Sequence, residues 1–157
     1  MVSLRSLSVL LFAVLAAANT VTFISKDERD RTVYFHNDIA CEAIDSITVA
    51  AGATEVVSFP EGWIGMWYAA VSGLADPGKG MLGEVTFNGW LNKTYFDVSA
   101  IDMPSDHDGV YKIWAVGDEE HVSGCDVFPC DTVYIHPDDV QTIVTDKTEL
   151  VCTLGGP

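Results

Sequence analysis

The chain has 157 residues, of which 48% are hydrophobic, and 23 Asp and Glu against eight Lys and Arg give it a formal net charge of −15. Binding to nucleic acid depends on Lys and Arg that neutralise phosphates, so this balance predicts no nucleic-acid partner and no attraction to anionic membranes. The length and the hydrophobic fraction are typical of one globular domain with its own core.

Residues 1–18 have the composition of a secretory signal peptide. Arg5 precedes an almost wholly apolar run from Leu7 to Ala18, which ends in three alanines. The run is shorter than the roughly 20 apolar residues that cross a membrane, and its small-residue end is typical of a cleavage site. We therefore expect a secreted, extracellular protein without membrane insertion, whose folded domain covers residues 19–157.

Short stretches of alternating or β-branched residues recur along this domain. Turn-forming pairs such as Ala51-Gly52 and Asp108-Gly109 separate them. Many short strands punctuated in this way predict an all-β protein, most simply a β-sandwich. The predicted strands are residues 21–24, 32–35, 46–49, 55–59, 64–70, 84–87, 94–98, 110–116 and 150–154.

One short helix is the only departure that we predict from this all-β pattern. It begins near Pro137, which suits the first helical position, and Asp138-Asp139 would complement the helix dipole. The chain has no internal repeat, no low-complexity tract and no linker, so a single domain is expected.

The four tryptophans divide into two predicted environments. Trp67 and Trp114 lie within predicted strands and are expected in the core. Trp63, beside a Pro-Glu-Gly turn, and Trp90, in a predicted loop, are better candidates for exposure. An exposed tryptophan could stack on a sugar ring, because both present an apolar face.

The hairpin predicted over residues 84–98 concentrates acidic side chains. With a six-residue loop, Glu84 opposes Asp97, with their Cβ atoms about 5 Å apart. With a tight turn at Asn88-Gly89, Glu84 instead opposes Lys93 and makes an ordinary surface ion pair. Opposed carboxylates destabilise a sheet, so the first register predicts a functional site; the hairpin pattern alone leaves both registers open.

The four cysteines of a secreted chain predict two disulfides, which three pairings could satisfy. The short separation of Cys125 and Cys130 makes a local bridge the simplest choice. Cys41 would then join Cys152 and close a loop of about 110 residues. By restricting the unfolded chain, such a bridge would stabilise the folded protein by roughly 4–5 kcal/mol.

Two further motifs lie in loops. Asn92-Lys93-Thr94 is an N-glycosylation sequon on the predicted hairpin loop. Asp106-His107-Asp108, with Asp102 nearby, offers oxygen and nitrogen ligands, but triplets of this kind are usually solvated turns. We therefore predict a glycosylation site at Asn92, no metal and no cofactor.

Several motifs within the first 104 residues follow one another in an order that is known from a protein family. The motifs that carry it are Val21-Thr22-Phe23, Thr32-Val33-Tyr34, Trp63 to Trp67, the Glu84 strand, and Tyr95-x-Asp97-Val98-Ser99 with Asp102 five residues after Asp97. Over residues 20–104 this order resembles the thaumatin-like proteins. It is most similar to short secreted fungal members, some of which resemble elicitors of the hypersensitive response in plants.

The resemblance implies a site as well as a fold. The family shares an acidic cleft of one Arg, one Glu and three Asp, and the resemblance places Glu84 beside Asp97. Its implied residues here are Glu84, Tyr95, Asp97, Asp102 and, near the C-terminus, Asp138. The Arg would lie two residues after Trp67, where this chain has Ala69.

The resemblance implies a secreted protein of the apoplast or cell wall. We expect a non-catalytic monomer that is perceived by a plant surface protein or that binds wall glycan, such as β-1,3-glucan. The alternative is an endo-β-1,3-glucanase that uses Glu84 and Asp97, because glycoside hydrolysis needs two carboxyl groups. The Ala69 position and the short chain favour the non-catalytic expectation.

Overall fold

A computed structural model of the chain describes residues 19–74, 78–106 and 108–156. The predicted signal peptide therefore lies outside the described residues. The described chain forms two packed β-sheets, which confirms the all-β sandwich. The strands are β1 Asn19–Ser25, β2 Arg31–Asn37, β3 Ile47–Val49, β4 Thr54–Phe59, β5 Ile64–Val71, β6 Leu82–Thr86, β7 Thr94–Ser99, β8 Val110–Ala115, β9 Asp118–Gly124, β10 Ile143–Thr145 and β11 Glu149–Leu154.

The two sheets have distinct strand orders. The five-stranded sheet runs β4-β1-β11-β8-β9, and its β1 and β11 pair in parallel, which sets the first and last strands of the domain side by side. The six-stranded sheet runs β10-β7-β6-β5-β2-β3, and all its neighbouring strands are antiparallel. None of the helical structure within the described ranges is long and apolar enough to cross a membrane.

The nine strands predicted from the sequence are all present, with small shifts at their ends. The alternation pattern missed two strands, the three-residue β10 and β9, whose sequence Asp-Glu-Glu-His-Val-Ser-Gly has three consecutive exposed residues. Each lies at the edge of its sheet, where one side of the strand has no neighbour, and the charged residues of β9 discourage pairing with other chains. An edge strand of this kind lacks the apolar alternation that identifies a half-buried strand.

The helix predicted near Pro137 is wrong. The segment forms a turn in which Oδ2 of Asp139 accepts hydrogen bonds from the backbone N–H groups of Ile135 and His136, both at 2.8 Å. A short acidic side chain that bonds its own backbone stabilises such a turn in competition with a helix. Among the described residues, the 3₁₀ turn Trp90–Asn92 is the one helical segment.

The core between the sheets is rich in aromatic side chains. Trp67 is fully buried, as expected, and its ring lies 5.5 Å from that of Phe23 in an edge-to-face contact. Trp114 is only half-buried. The exposure expected for Trp63 is wrong: its ring packs edge-on against Phe59, and its Nε1–H donates to the carbonyl oxygen of Glu42 at 3.1 Å. Trp90 is exposed, as predicted.

The predicted disulfides are half correct. Cys125 and Cys130 are bridged, but Cys41 and Cys152 are free thiols, so the predicted Cys41–Cys152 bond is wrong. Cys152 faces the core from β11, where its sulfur accepts a hydrogen bond from Nε1 of Trp67 at 3.4 Å. Cys41 lies in the loop after β2, where its sulfur accepts from the backbone N–H of Ile64 at 3.3 Å. Each sulfur therefore accepts a hydrogen bond from a different donor, and the two are not joined.

These environments predict unequal thiol reactivity. Burial raises the pKa of Cys152 to about 12, and the thiolate is the reactive form, so Cys152 is expected to resist alkylation until the protein unfolds. Cys41 is half-buried and is expected to react in the folded protein. Alkylation followed by peptide mass mapping, before and after denaturation, measures both.

The Cys41→Ala variant is the control and should show no alkylation in its folded form. Recovery of a Cys41–Cys152 peptide pair under non-reducing conditions would contradict this arrangement.

Candidate functional site

The hairpin of β6 and β7 adopts the register that opposes the two carboxylates. Glu84 pairs with Asp97 and Thr86 with Tyr95, so the predicted longer loop is confirmed and the tight turn at residues 88–89 is wrong. Lys93 does not reach Glu84; its ammonium group lies 2.9 Å from a carboxylate oxygen of Asp146. The longer loop leaves the hairpin's acidic residues facing each other.

A polar row crosses the outer face of the six-stranded sheet. His36 of β2 pairs with Met66 of β5, Met66 pairs with Glu84, and Glu84 pairs with Asp97. Thr142 ends the row beside β7, where its hydroxyl donates to Oδ2 of Asp97 at 3.1 Å. Side chains alternate between the faces of a strand, so this row points away from the core that Trp67 and Val85 fill.

This row forms the floor of an open depression of about 590 Å³, which we call the acidic groove. Its lining includes His36, Met66, Glu84, Tyr95, Asp97, Tyr134 and Thr142. Ile64 and Ile101 add apolar surface to the same depression. Within the described part of the chain, no Lys or Arg lines it. The groove therefore offers hydroxyl and carboxyl groups beside apolar and aromatic surface, without a fixed positive charge.

Asp97 is the electrostatic centre of the acidic groove. Only 8% of the Asp97 surface is exposed. This burial, together with the neighbouring Glu84, raises the pKa of Asp97 to about 7. Ionised, it keeps Oδ1 buried without a hydrogen-bond partner. A proton on Asp97 removes this penalty, and with a pKa of about 7 the protonated and the ionised forms of Asp97 are both present near neutral pH.

A hydrogen-bond relay continues from Asp97 to the groove wall. The single hydroxyl proton of Thr142 goes to Asp97, so the Tyr134 hydroxyl, 2.9 Å away, donates to Thr142. Tyr134 reaches this position because its backbone N–H bonds the carbonyl of Val98 at 3.0 Å, which adds the segment to the end of β7. The relay orients Asp97 from outside its own hairpin.

Aromatic rings adjoin the acidic groove on its β2 side. Tyr68 stacks between Tyr34 and His36, with ring centroids 5.3 and 5.5 Å apart. The three rings lie on the outer face of β2 and β5, and His36 also lines the groove. On the opposite side the Tyr95 hydroxyl donates to the carbonyl of Trp90 at 2.9 Å, which fixes the Tyr95 ring.

The structure brings together three of the five predicted site residues. Glu84, Tyr95 and Asp97 line the acidic groove. Asp102 is exposed and lines a separate depression of about 140 Å³ near Tyr68. Asp138 is exposed in the turn that Asp139 closes and does not line the groove.

Sequence reasoning missed His36, Tyr134 and Thr142. Each is distant along the chain from the hairpin, and only strand pairing and the relay place it in the groove. The alternation of β2 was the available signal for His36, because it put that residue on the outer face.

The Ala69 position does not belong to the groove at all. Ala69 is 4% exposed and shares the inner face of β5 with Trp67. A longer side chain there would point into the core, not toward Glu84. The absence of an Arg at this position therefore says nothing about the charge of the groove. Asp106 and Asp108, the two aspartates of the loop triplet in which we predicted no metal, have partners of their own: Asp106 accepts from the N–H of Met81, and Asp108 pairs with Arg29 and Arg31. His107 lies outside the described residues.

Comparison with known proteins gave one informative relative. No protein-family model matches the chain. The chain is 48% identical over 136 residues to the antigenic protein SchS21 of the fungus Stachybotrys chartarum. The aligned region covers 87% of this chain and 94% of that protein. The relative's name records that it is an antigen.

The raised pKa of Asp97 predicts a pH-dependent stability. Above pH 7 Asp97 is ionised in both the folded and the unfolded protein, and the folded protein is destabilised by the buried charge beside Glu84. As the pH falls from 7 towards 4, the folded form binds a proton that the unfolded form does not, so stability rises, by up to about 4 kcal/mol. Asp97→Asn should remove this slope and stabilise the protein at pH 8 by roughly 1–3 kcal/mol, because the amide can accept from Thr142 and donate to Glu84.

Urea unfolding at pH 4, 6 and 8 measures this slope. Glu119→Gln, an exposed acid on the other sheet, serves as the control and should keep the slope of the parent. Equal slopes for the parent and for Asp97→Asn would show that Asp97 titrates like a solvated carboxyl.

Proposed function

Since the chain belongs to the family of the antigenic protein SchS21, we propose that it is a secreted fungal protein that binds neutral wall glycan, of the β-1,3-glucan type, in the acidic groove. The observation that carries the proposal is the pairing of Glu84 with the buried Asp97 on the floor of an open groove. The protein acts as a monomer outside the producing cell, in the plant apoplast or the cell wall, without hydrolysing the glycan.

The chemistry of the acidic groove suits a neutral sugar. A carboxyl group with a pKa of about 7 can donate a hydrogen bond when protonated and accept one when ionised, and sugar hydroxyl groups require both. The lack of Lys and Arg in the described lining disfavours phosphate and carboxylate ligands. The exposed His36 ring, which stacks on Tyr68, and the Tyr95 ring line the same groove and give faces on which a pyranose ring could pack.

The open shape of the groove suits a polymer. The depression lies across β2, β5, β6 and β7 and is bounded by loops, not enclosed by a second domain. A long chain can lie across such a surface, whereas a small ligand would bury little of its own area there. Glucan chains of the fungal or plant wall have this form.

The glucanase alternative has one observation in its favour and one against it. A carboxyl with a pKa of about 7 suits a general acid. However, retaining glycosidases hold their two carboxyl groups about 5–5.5 Å apart and inverting ones roughly 6.5–9.5 Å apart, with the sugar between them. Glu84 and Asp97 are directly paired on one face of the sheet, so both carboxyl groups approach a bound sugar from the same side and do not flank it. This placement supports binding over hydrolysis.

The glycan proposal predicts the behaviour of a double variant. Glu84→Gln with Asp97→Asn replaces both carboxyl groups by neutral amides but keeps the volume of both side chains. Because at least one charge-assisted hydrogen bond to the sugar is lost, retention on insoluble β-1,3-glucan should fall about tenfold or more. Co-sedimentation with the glucan, read together with reducing-sugar release, measures both binding and hydrolysis.

Glu119→Gln with Asp131→Asn is the matched control, because it makes the same two kinds of substitution at exposed positions outside the groove. It should bind like the parent. Equal retention of the parent and the double variant would remove the groove as the binding site, and sugar release by the parent that the double variant loses would favour the glucanase.

A second proposal concerns perception by a host. The fungal relative is named as an antigenic protein, that is, one that an immune system recognises. By extension, a plant surface protein would recognise the folded exterior of this chain and respond to it as an elicitor. The many exposed carboxylates of the five-stranded sheet, including Glu119 and Glu120 of β9, would contribute to such an exterior.

This second proposal predicts that the response does not depend on the acidic groove. Leaves infiltrated with the double variant should show the same cell death as leaves infiltrated with the parent protein, because the groove variant keeps the outer surface. Loss of the response in a double variant whose circular dichroism spectrum is native would instead tie perception to the groove.

A further inference from the structure

The β6–β7 loop presents two large apolar side chains to solvent. Trp90 is 77% exposed and Leu91 66% exposed, although the core of the same domain buries Trp63 and Trp67 completely. Large exposed apolar groups that lie next to each other usually mark a surface that something covers. Within the described chain, nothing packs over this tip closely enough to bury it.

The backbone of the same loop has an uncommon conformation that hydrogen bonds hold closed. Asn88, Leu91 and Asn92 have positive φ angles of 50°, 57° and 56°, which are uncommon for residues other than glycine. Two backbone hydrogen bonds close the loop, from Gly89 N–H to the carbonyl of Lys93 at 2.8 Å and from Asn92 N–H to the carbonyl of Gly89 at 2.9 Å. These bonds define where the loop presents Trp90 and Leu91.

The exposed tip also contains the N-glycosylation sequon, which begins at Asn92. Asn92 is exposed and is followed by Lys93 and Thr94. It lies two residues after Trp90, so the two Cα atoms are at most roughly 7 Å apart. Its Oδ1 accepts a weak hydrogen bond from Asn88 at 3.3 Å. A sugar attached to Asn92 would therefore emerge directly beside the exposed indole.

We propose that Asn92 carries an N-linked glycan whose first sugar packs on Trp90 and covers the exposed tip. The modification requires that the chain enters the secretory pathway. There the Asn92 Nδ2 bonds to the anomeric carbon of an oligosaccharide, the bond from that carbon to the pyrophosphate of its lipid carrier breaks, and the amide proton is released. Transfer occurs on the newly translocated chain, before folding buries the Thr94 side chain.

Contact between the sugar and Trp90 explains both features of the loop. A pyranose has an apolar C–H face, and an indole offers the largest apolar ring among the side chains. The hydrogen-bonded loop pre-orders Trp90 and Asn92, so the contact costs little additional conformational entropy. Asn is also the residue other than glycine that best tolerates the left-handed conformation, which suits position 92.

The test is expression of the full chain, with its own residues 1–18, in a yeast that secretes and glycosylates proteins. Intact mass of the secreted protein should show one N-glycan on Asn92, and Asn92→Gly should lack it. Glycine is chosen because it adopts the positive φ of position 92 without strain, so this variant is expected to fold. Retention in the cell or secretion without a glycan at Asn92 would overturn the proposal.

Stability measurements then test the contact with Trp90. The melting temperature should be roughly 2–4 °C higher with the glycan than after its complete removal, and trimming to the first sugar should keep that difference. In Trp90→Ala the difference should disappear, although the glycan remains attached. Acrylamide quenching of tryptophan emission should rise on complete removal of the glycan, because Trp90 is the most exposed of the tryptophans. An equal temperature difference in Trp90→Ala and in the parent would show that the sugar does not pack on Trp90.

Discussion

The structure depends on one contact in the core, that between Trp67 and Gly83. Trp67 is fully buried and fills the space between the sheets, where it touches rings from both of them. Gly83 pairs with it across β5 and β6, and a Cβ at that glycine would lie 2.6 Å from the indole ring. Only glycine therefore fits opposite Trp67.

This contact sets the register of the functional face. Because side chains alternate along a strand, a shift of one residue would turn every side chain of β6 to the other face. With Gly83 held against Trp67, Glu84 must point outward and oppose Met66 on one side and Asp97 on the other. The core contact thus determines where the acidic groove lies.

The carboxyl pair of the acidic groove lowers the stability of the folded protein. Burial of Asp97 beside Glu84 opposes ionisation, and an apolar pair at these positions would avoid that cost. The same domain stabilises another buried charge completely differently: Arg31 is inaccessible to solvent but is paired with both Asp27 and Asp108. One buried ionic group has opposite charges around it and the other a like charge, which separates an ion-paired structural cluster from the carboxyl pair in which we propose glycan binding.

The amino-acid sequence by itself determined the all-β class, the positions of nine strands and the Cys125–Cys130 bridge, because each rests on local alternation or on neighbours along the chain. Local patterns could not decide between the two hairpin registers, and the resemblance that did so misplaced Asp102 and Asp138. Only the tertiary structure brought His36, Tyr134 and Thr142 to Asp97, and only it separated Cys41 from Cys152. These outcomes depend on which strands become neighbours across two sheets, and that choice is made by core packing around Trp67 rather than by any short stretch of sequence.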